Sequence, residues 1–358
     1  MSRQIRVGIA GLGRSGFGIH AEYLKTDPRF LVTAAADELE ERRKDAEQLF
    51  HCRTFRNHTE MLAAGGFDLF INATPSRFHG AASMEALQTG VDVLSEKPSA
   101  TSVAEFDRIL KTAEQNGRQF FPFQNSRFYP YFRKLQSILN SGVLGKLICI
   151  RSNWSSYARR WDWQTRQEEC GGNLFNTGPH PVDQAVALIG DVTPNVFCRM
   201  AAEHFDFGGD ANNFCALTLY GENMPVVEIQ ISSFQVYAQG DQYNIQGLYG
   251  GLTGGPNGLR WKYFDPEKAP RHTLWRPWSD QRQYCQEKLD WQEETWNFAS
   301  PESNANGFTG LSAGFYGNLY DVLTCRAERA IRLDQVRRQI QIMEEAHRQN
   351  PLARTVIE

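Results

Sequence analysis

Gly11-Leu12-Gly13-Arg14-Ser15-Gly16 places three glycines at the spacing that lets a chain turn tightly, expose its amides and pack a following helix closely. Backbone N–H groups gathered at a helix start attract anions, so the chemistry such a turn supports is the cradling of a pyrophosphate. Roughly 20 residues on, the segment ending Ala36-Asp37 offers a carboxylate that can accept hydrogen bonds from both hydroxyls of an adenosine ribose. That carboxylate repels a 2'-phosphate, which favours NAD over NADP. Arg42 and Arg43 stand about two helical turns further along and are the groups that would pair with such a phosphate. The plainer alternative is a glycine turn without a ligand, with Asp37 as the N-cap of a helix from Glu38 to Leu49.

Such a turn needs a strand before it and a helix after it, and both are legible. Short apolar runs at Ile5 to Ala10, Phe30 to Ala36, Asp68 to Ala73, Val91 to Ser95 and Gln119 to Phe123, with a short one at Arg53 to Phe55, alternate with helical stretches. Their richness in Val, Ile, Leu and Phe suits strands buried on both faces of a parallel sheet. Ser102-Val-Ala-Glu105 reads as a capping box that opens a helix, and Asn116-Gly117 closes it. Residues 1–124 are therefore expected to form a Rossmann dinucleotide-binding domain of α/β class.

Beyond residue 124 the pattern changes. One helix is expected at Pro130 to Asn140 and another at Leu333 to about Arg348. Between them, Val227, Ile229 and Ile231 share one face of a strand in Pro225 to Ser232, and Lys146 to Trp154, Asn195 to Ala201 and Phe214 to Tyr220 read the same way. Residues 125–358 are expected to form an α+β domain around a large, mainly antiparallel sheet. The stretch Gly247 to Gly258, with six glycines and a proline, reads as loop or turns rather than the interior of an element.

Composition narrows the function classes. The 38 basic and 41 acidic side chains are interspersed with a net charge of -3, which gives no electrostatic footprint for nucleic acid. Seven cysteines, Cys325 among them, show neither a Cys-x-x-Cys pair nor zinc-type spacing, so no metal is expected and they read as reduced packing residues. The apolar run from Ile5 leaves no room for a leader peptide, and no stretch reaches the roughly 18 apolar residues of a membrane span, so a cytoplasmic protein is expected.

Two further segments stand out: Glu96-Lys97-Pro98, and Asn173-Leu-Phe-Asn176-Thr-Gly-Pro-His180-Pro-Val-Asp183. With the glycine turn, Asn72-Ala73-Thr74-Pro75 and His79, the Gln124-Asn-Ser-Arg127 stretch, and Ser141-Gly-Val-Leu-Gly-Lys146, they resemble the Gfo/Idh/MocA family of glucose-fructose oxidoreductases and inositol dehydrogenases. The resemblance is strong to residue 190 and looser after it. It implies that Glu96, His79 and Asn72 to Pro75 line the nicotinamide side, that Lys97 is catalytic, and that His180 transfers a proton. It also implies a second domain whose sheet mediates assembly, hence a homo-oligomer, dimer or tetramer.

Chemical logic runs beside the resemblance. Hydride transfer from a secondary alcohol needs a base for the hydroxyl proton, and an imidazole of pKa about 6.5 serves near neutrality. An ammonium at Lys97 would stabilise the oxygen as charge develops. Asp183, one turn beyond His180, is a candidate to orient it. In the family pattern Asp-x-x-x-His precedes the helix, whereas this chain has Asn176; an amide orients a hydroxyl but takes no proton. The interval from Gly16 to His20 is one residue longer than the pattern.

Trp154, Tyr157, Arg160, Trp161 and Trp163 crowd into ten residues after an expected strand. Flat rings beside polar groups suit the faces and hydroxyls of a sugar or cyclic polyol. Asn125 and Arg127 would reach the same cleft. Trp275, Trp278, Trp291 and Trp296 read as packing or a lid. Three readings follow: a polyol or sugar dehydrogenase using NAD, a glycosidase with tightly held NAD and transient substrate oxidation, and a non-catalytic NAD-binding sensor.

Overall fold

Six strands, β1 (Ile5–Ala10), β2 (Phe30–Ala36), β3 (Arg53–Phe55), β4 (Leu69–Asn72), β5 (Asp92–Ser95) and β6 (Phe120–Pro122), form one parallel sheet in the order β3-β2-β1-β4-β5-β6. Val7, Ile9, Leu69, Phe70, Ile71, Val93 and Leu94 have no exposed surface, as strands covered by helices on both faces require. The order reverses direction between β1 and β4, which opens a crevice at their carboxyl ends. The computed structural model describes residues 3–204, 208–237, 240–274, 282, 284–298, 308–324 and 326–354. Trp275, Trp278 and Cys325 lie outside these residues.

The helix Val103–Gln115 begins as expected, with Ser102 Oγ accepting from the Glu105 amide at 3.2 Å. The reciprocal half of the capping box is different. Glu105 lies hard against Gly80, and its carboxylate accepts from the Thr101 amide at 2.8 Å instead of reaching Ser102.

Eight strands build the second sheet: β7 (Leu147–Asn153), β8 (Asn195–Ala201), β9 (Phe214–Tyr220), β10 (Val226–Ser232), β11 (Tyr243–Gly247), β12 (Gly250–Gly255), β13 (Gly258–Phe264) and β14 (Trp291–Asn297). Their order is β14-β13-β12-β11-β7-β10-β9-β8, with β7 and β10 parallel and every other pair antiparallel. The glycine-rich stretch expected to be loop is mostly β12 and the turns flanking it. Glycine is required there by close backbone approach: a Cβ on Gly250 would stand 2.1 Å from the Lys262 carbonyl oxygen, and one on Gly254, at φ +145°, 2.2 Å from that of Gly258.

One face of this sheet, through Val227, Ile229 and Ile231, packs on the helices Pro130–Asn140 and Pro179–Ile189. The end of the chain ties the two cores together. A helix Phe308–Leu323 places Phe315, Tyr316, Leu319 and Tyr320 in the core of the parallel sheet. The last helix, Leu333–Gln349, gives Val336 and Ile340 to that core and Ile342, Met343 and Ala346 to the other. Trp291 and Trp296 sit on the edge strand β14, against Phe264 and Phe298 respectively.

Candidate active site

The turns after β1 and β4 are pressed together at the crevice. Gly11 has φ +83°, and a Cβ on it would lie 2.3 Å from the Ala73 carbonyl oxygen; a Cβ on Gly16 would lie 1.7 Å from that of Gly11. Gly13 is different, because a Cβ there would meet only Arg42 Nη1, at 3.8 Å. Its missing side chain leaves open space above the backbone, the cradle that a pyrophosphate fits. Gly13→Val is accordingly expected to weaken NAD(H) binding at least about ten-fold in a fluorescence titration while the melting temperature moves by less than about 2 °C. Gly16→Val is expected to cost more than about 3 kcal/mol of stability in a urea titration.

Asp37 stands beside this turn. Its Oδ2 accepts from the Leu12 amide at 2.8 Å and its Oδ1 from the Leu39 amide at 3.0 Å. The following helix, Glu40–Phe50, has Leu39 at its N-cap, so Asp37 does not cap it. Arg42 is nearer than its place in the sequence suggests, with Nη1 3.3 Å from Asp37 Oδ2. The ribose end of the cradle therefore holds a carboxylate and a guanidinium together. Arg43 turns away and donates to the carbonyls of Asp37 and Glu38.

After the glycine turn the chain forms a π-helix, Gly16–Ala21, which takes up the extra residue before His20 as one wider turn. His20 is fully buried; its Nδ1 lies 2.6 Å from Tyr316 Oη and its Nε2 3.3 Å from Glu96 Oε1, an ion-pair distance. Glu96 Oε2 accepts from the Lys97 amide at 3.0 Å. Burial works against the Glu96 charge, but His20 and Lys97 outweigh it and hold the carboxyl down at about 2. Glu96 thus faces inward and anchors the backbone of Lys97.

Asn72 and His79 are buried as well. Asn72 Nδ2 donates to the His79 carbonyl at 2.9 Å and to Ser83 Oγ at 3.0 Å, and its Oδ1 accepts from Thr74 Oγ1 at 2.7 Å. The two ring nitrogens of His79 lie 2.8 Å from the carbonyl oxygens of Pro98 and Thr74. These side chains lock the Ala73-Thr74-Pro75 turn to the segment carrying Lys97. They shape the crevice wall from behind.

Lys97 and His180 are near enough for the Lys97 charge to bear on the imidazole. Lys97 Nζ donates to the Asn176 carbonyl at 2.6 Å. Burial lowers its pKa, with Glu96 pulling the other way. His180 is the second residue of its helix, and the Trp154 ring stacks on the imidazole at 5.9 Å and 18°. Trp154 is itself fixed by its Nε1 donating to Ser152 Oγ at 3.0 Å. His180 is half-buried, and its Nδ1 is sealed off and has no hydrogen-bond partner among the described residues. Burial first, and the Lys97 charge second, push its pKa down to about 3.

Asp183 does not orient His180. It is fully buried in a bidentate pair with Arg127, Nε to Oδ2 at 2.6 Å and Nη2 to Oδ1 at 2.7 Å. A guanidinium so committed, with Gln335 on its Nη1, is a strut between elements rather than a substrate ligand. Asn125 is buried beside Tyr129.

A pocket opens at Asn176, whose carbonyl holds Lys97, and Arg160, Gln164, Asn173, His204, Asn212 and Ser233 are also among its lining. Of the aromatic run, Trp154 alone faces the chemistry. Tyr157, Trp161 and Trp163 are 52%, 78% and 39% exposed and are not among the residues lining this pocket. An isolated antiparallel bridge pairs Tyr157 with Phe234.

Residues 5–124 match a family model described as an oxidoreductase family with an NAD-binding Rossmann fold, and residues 132–253 match the GFO/IDH/MocA C-terminal domain. The chain belongs to the Gfo/Idh/MocA oxidoreductase family. It is 26% identical over 213 residues to the scyllo-inositol 2-dehydrogenase (NADP(+)) of Bacillus subtilis, covering 57% of this chain and 58% of that protein. It is 28% identical over 193 residues to the D-glucoside 3-dehydrogenase of Escherichia coli, covering 53% and 55%. The matches thus span just over half the length of these relatives. The WlbA dehydrogenase of Bordetella pertussis, solved with NADH and UDP-GlcNAcA, shares the fold over 100% of this chain and 99% of its own, with a TM-score of 0.76 at 21% identity.

Within this Gfo/Idh/MocA chain, several residues of the crevice carry no signal in the sequence. Tyr316 is brought to His20 across 296 positions by a helix from the end of the chain. Asn212 and His204 reach the pocket from the approach to β9. Arg159 lines it too, and adjacency to Arg160 was its one visible sign. Among the described residues no group of His, Cys, Asp and Glu is arranged to hold a metal ion, and no helix is long and apolar enough to cross a membrane.

Proposed function

We propose that this chain is a dehydrogenase that moves a hydride between a nicotinamide dinucleotide and a secondary-alcohol carbon of a sugar or polyol. The observation that carries the reading is the Lys97 ammonium reaching from the dinucleotide domain to the carbonyl of Asn176, four residues before His180, on the segment that lines a polar pocket. Gly13 and the turn after β4 form the cradle for the dinucleotide, and Asp37 receives its ribose. When bound, the dinucleotide supplies the ring carbon that takes or gives the hydride.

The chain's own residues do the rest. The His180 imidazole, kept unprotonated by burial and by the Lys97 charge, takes the proton of the substrate hydroxyl as general base. Lys97, held by the Asn176 carbonyl, donates to the same oxygen and stabilises it as negative charge develops. The Asn176 side chain lines the pocket, where it positions a neighbouring hydroxyl. Trp154 sets the imidazole plane.

Asp37 favours NAD, while Arg42 beside it offers a partner to a 2'-phosphate, so NADP is the weaker ligand. Residues 1–124 act as the dinucleotide domain and 125–358 as the substrate and assembly domain. The outward face of the second sheet exposes Phe197, Tyr220 and Val226, the surface on which copies of the chain associate. The setting is cytoplasmic. A panel of sugars and polyols incubated with NAD and NADP side by side tests the whole reading. Reduced-nicotinamide absorbance is expected at lower concentrations of NAD than of NADP. Binding of either dinucleotide with no turnover on any member, or cleavage of an aryl glycoside without net reduction, would overturn it.

A further inference from the structure

Behind Lys97 the buried side chains of Glu96, His20 and Tyr316 stand in a line that the reaction does not consume. The wide turn Gly16–Ala21, in which the His20 amide donates to the Ser15 carbonyl at 3.0 Å, delivers the His20 ring into the core. Single π turns of this kind are frequent at functional sites. Phe123 packs on the ring at 4.6 Å, and Tyr316, itself stacked on Tyr23 at 4.4 Å and 13°, meets it edge-on. His20 Nδ1 lies 2.6 Å from Tyr316 Oη and Nε2 lies 3.3 Å from Glu96 Oε1, while Glu96 Oε2 accepts from the Lys97 amide at 3.0 Å. Both ring nitrogens and both carboxylate oxygens therefore face a neighbour in the line. Neither His20 nor Tyr316 is among the residues lining the pocket at Asn176.

A carboxylate buried this deeply is costly unless its partners hold it in place. What it serves is Lys97. Burial opposes the Lys97 charge, Glu96 supports it, and the fields of Arg14 and Arg160 oppose it. His79 and His180 also face Lys97, and burial keeps both from taking up a proton, so they add no further positive charge. Glu96 can support the ammonium only while it stays ionised and stays in place, and His20 bears on both. Tyr316 sets which way the imidazole points: with Oη against Nδ1, turning the ring away from Glu96 would break a buried hydrogen bond.

We infer that His20 and Tyr316 are positioning residues for Lys97: Tyr316 fixes the His20 ring, the ring and the Lys97 amide fix the two oxygens of Glu96, and the fixed carboxylate is the counter-charge of the Lys97 ammonium. The inference rests on the dehydrogenase reading for its effect on turnover, but not for its effect on Lys97 itself. Because Tyr316 belongs to the helix Phe308–Leu323, a segment near the end of the chain sets the charge at the start of the reaction site.

The test reads Lys97 directly, by NMR titration of the full chain carrying labelled lysine. The chain has nine lysines, and the Lys97 signal is the one that Lys97→Met removes. Glu96→Gln is expected to move the Lys97 midpoint to lower pH by about 1 to 3, the effect of losing a close opposite charge. His20→Leu and Tyr316→Phe should each move it the same way by at least about half a pH unit, and His20→Gln, whose amide can still face Glu96, should restore part of the His20→Leu loss. Tyr23→Phe is the control, since Tyr23 stacks on Tyr316 but its Oη donates to Asp27 at 2.8 Å and not to His20. It should lower the melting temperature and leave the Lys97 midpoint in place, as a purely structural role would. In turnover, Tyr316→Phe should lose more kcat at about pH 9 than at about pH 7 while the dinucleotide Kd stays within about two-fold. If His20→Leu fails to fold, Tyr316→Phe, which removes a single oxygen atom, carries the test. An unmoved midpoint in folded His20→Leu or folded Tyr316→Phe, or an equal shift in Tyr23→Phe, would overturn the proposal. Shifted midpoints in a chain that reduces neither NAD nor NADP with any sugar or polyol would leave it standing and remove the dehydrogenase reading. Turnover with unmoved midpoints would do the reverse.

Discussion

Lys97→Met is expected to lower kcat by about 10²- to 10³-fold, the loss that follows removal of one donor aimed at a developing oxyanion. The dinucleotide Kd should change by less than about three-fold, because Lys97 Nζ is directed across the crevice to the Asn176 carbonyl and not to the glycine turn. Methionine keeps the length and apolar stem, so the buried packing survives. The contrast with Gly13→Val is informative: one variant should bind the dinucleotide and not turn over, while the other should fail to bind it. Stopped-flow reduction under saturating substrate, beside a direct binding titration, separates them. A Lys97→Met enzyme with unchanged kcat would remove the residue from the reaction.

His180→Asn is expected to lose about 10²- to 10⁴-fold in kcat, the range for a positioned general base. It should also alter the dependence of stability on pH. An unfolded chain takes up the imidazole proton near pH 6.5, whereas burial and Lys97 hold that uptake off until about pH 3 in the folded chain. Between those values the unfolded state binds more protons, so the wild type loses stability as pH falls from about 6.5 toward 3, by a few kcal/mol on the order of the shift. His180→Asn lacks that group, and its loss over the same window should be smaller. Glu96 adds a separate decline at lower pH. Its carboxyl is depressed to about 2, so its contribution is present above about 4.5 and disappears as pH falls through 2. Urea midpoints measured from pH 7 to pH 3 distinguish the two slopes.

Much of the fold could be read from local pattern. The first two strands, β8 and β9, and the helix Pro130–Asn140 have the bounds that periodicity implies. A strand buried on both faces must be continuously apolar, and a half-buried one must alternate, so both leave a direct trace. The glycine-rich β12 left none. Its glycines are there because neighbouring backbones approach closely, and composition alone does not separate that cause from a turn. The helix Phe308–Leu323 is similar, since its pairing with the parallel sheet is a property of a distant segment.

The site divides along the same line. The sequence by itself determined the parts whose function depends on contiguous backbone: the glycine turn, its following acid, and the segments carrying Lys97 and His180. Only the tertiary structure decided which side chains those segments meet. It sent Asp183 to Arg127 instead of His180, brought Arg42 to Asp37, turned Tyr157, Trp161 and Trp163 outward, and set His20 between Tyr316 and Glu96. The reason is physical. A backbone turn is specified by the torsion preferences of its own residues, whereas the partner of a buried charge is whichever complementary group the packed fold carries within reach, however far away in the chain.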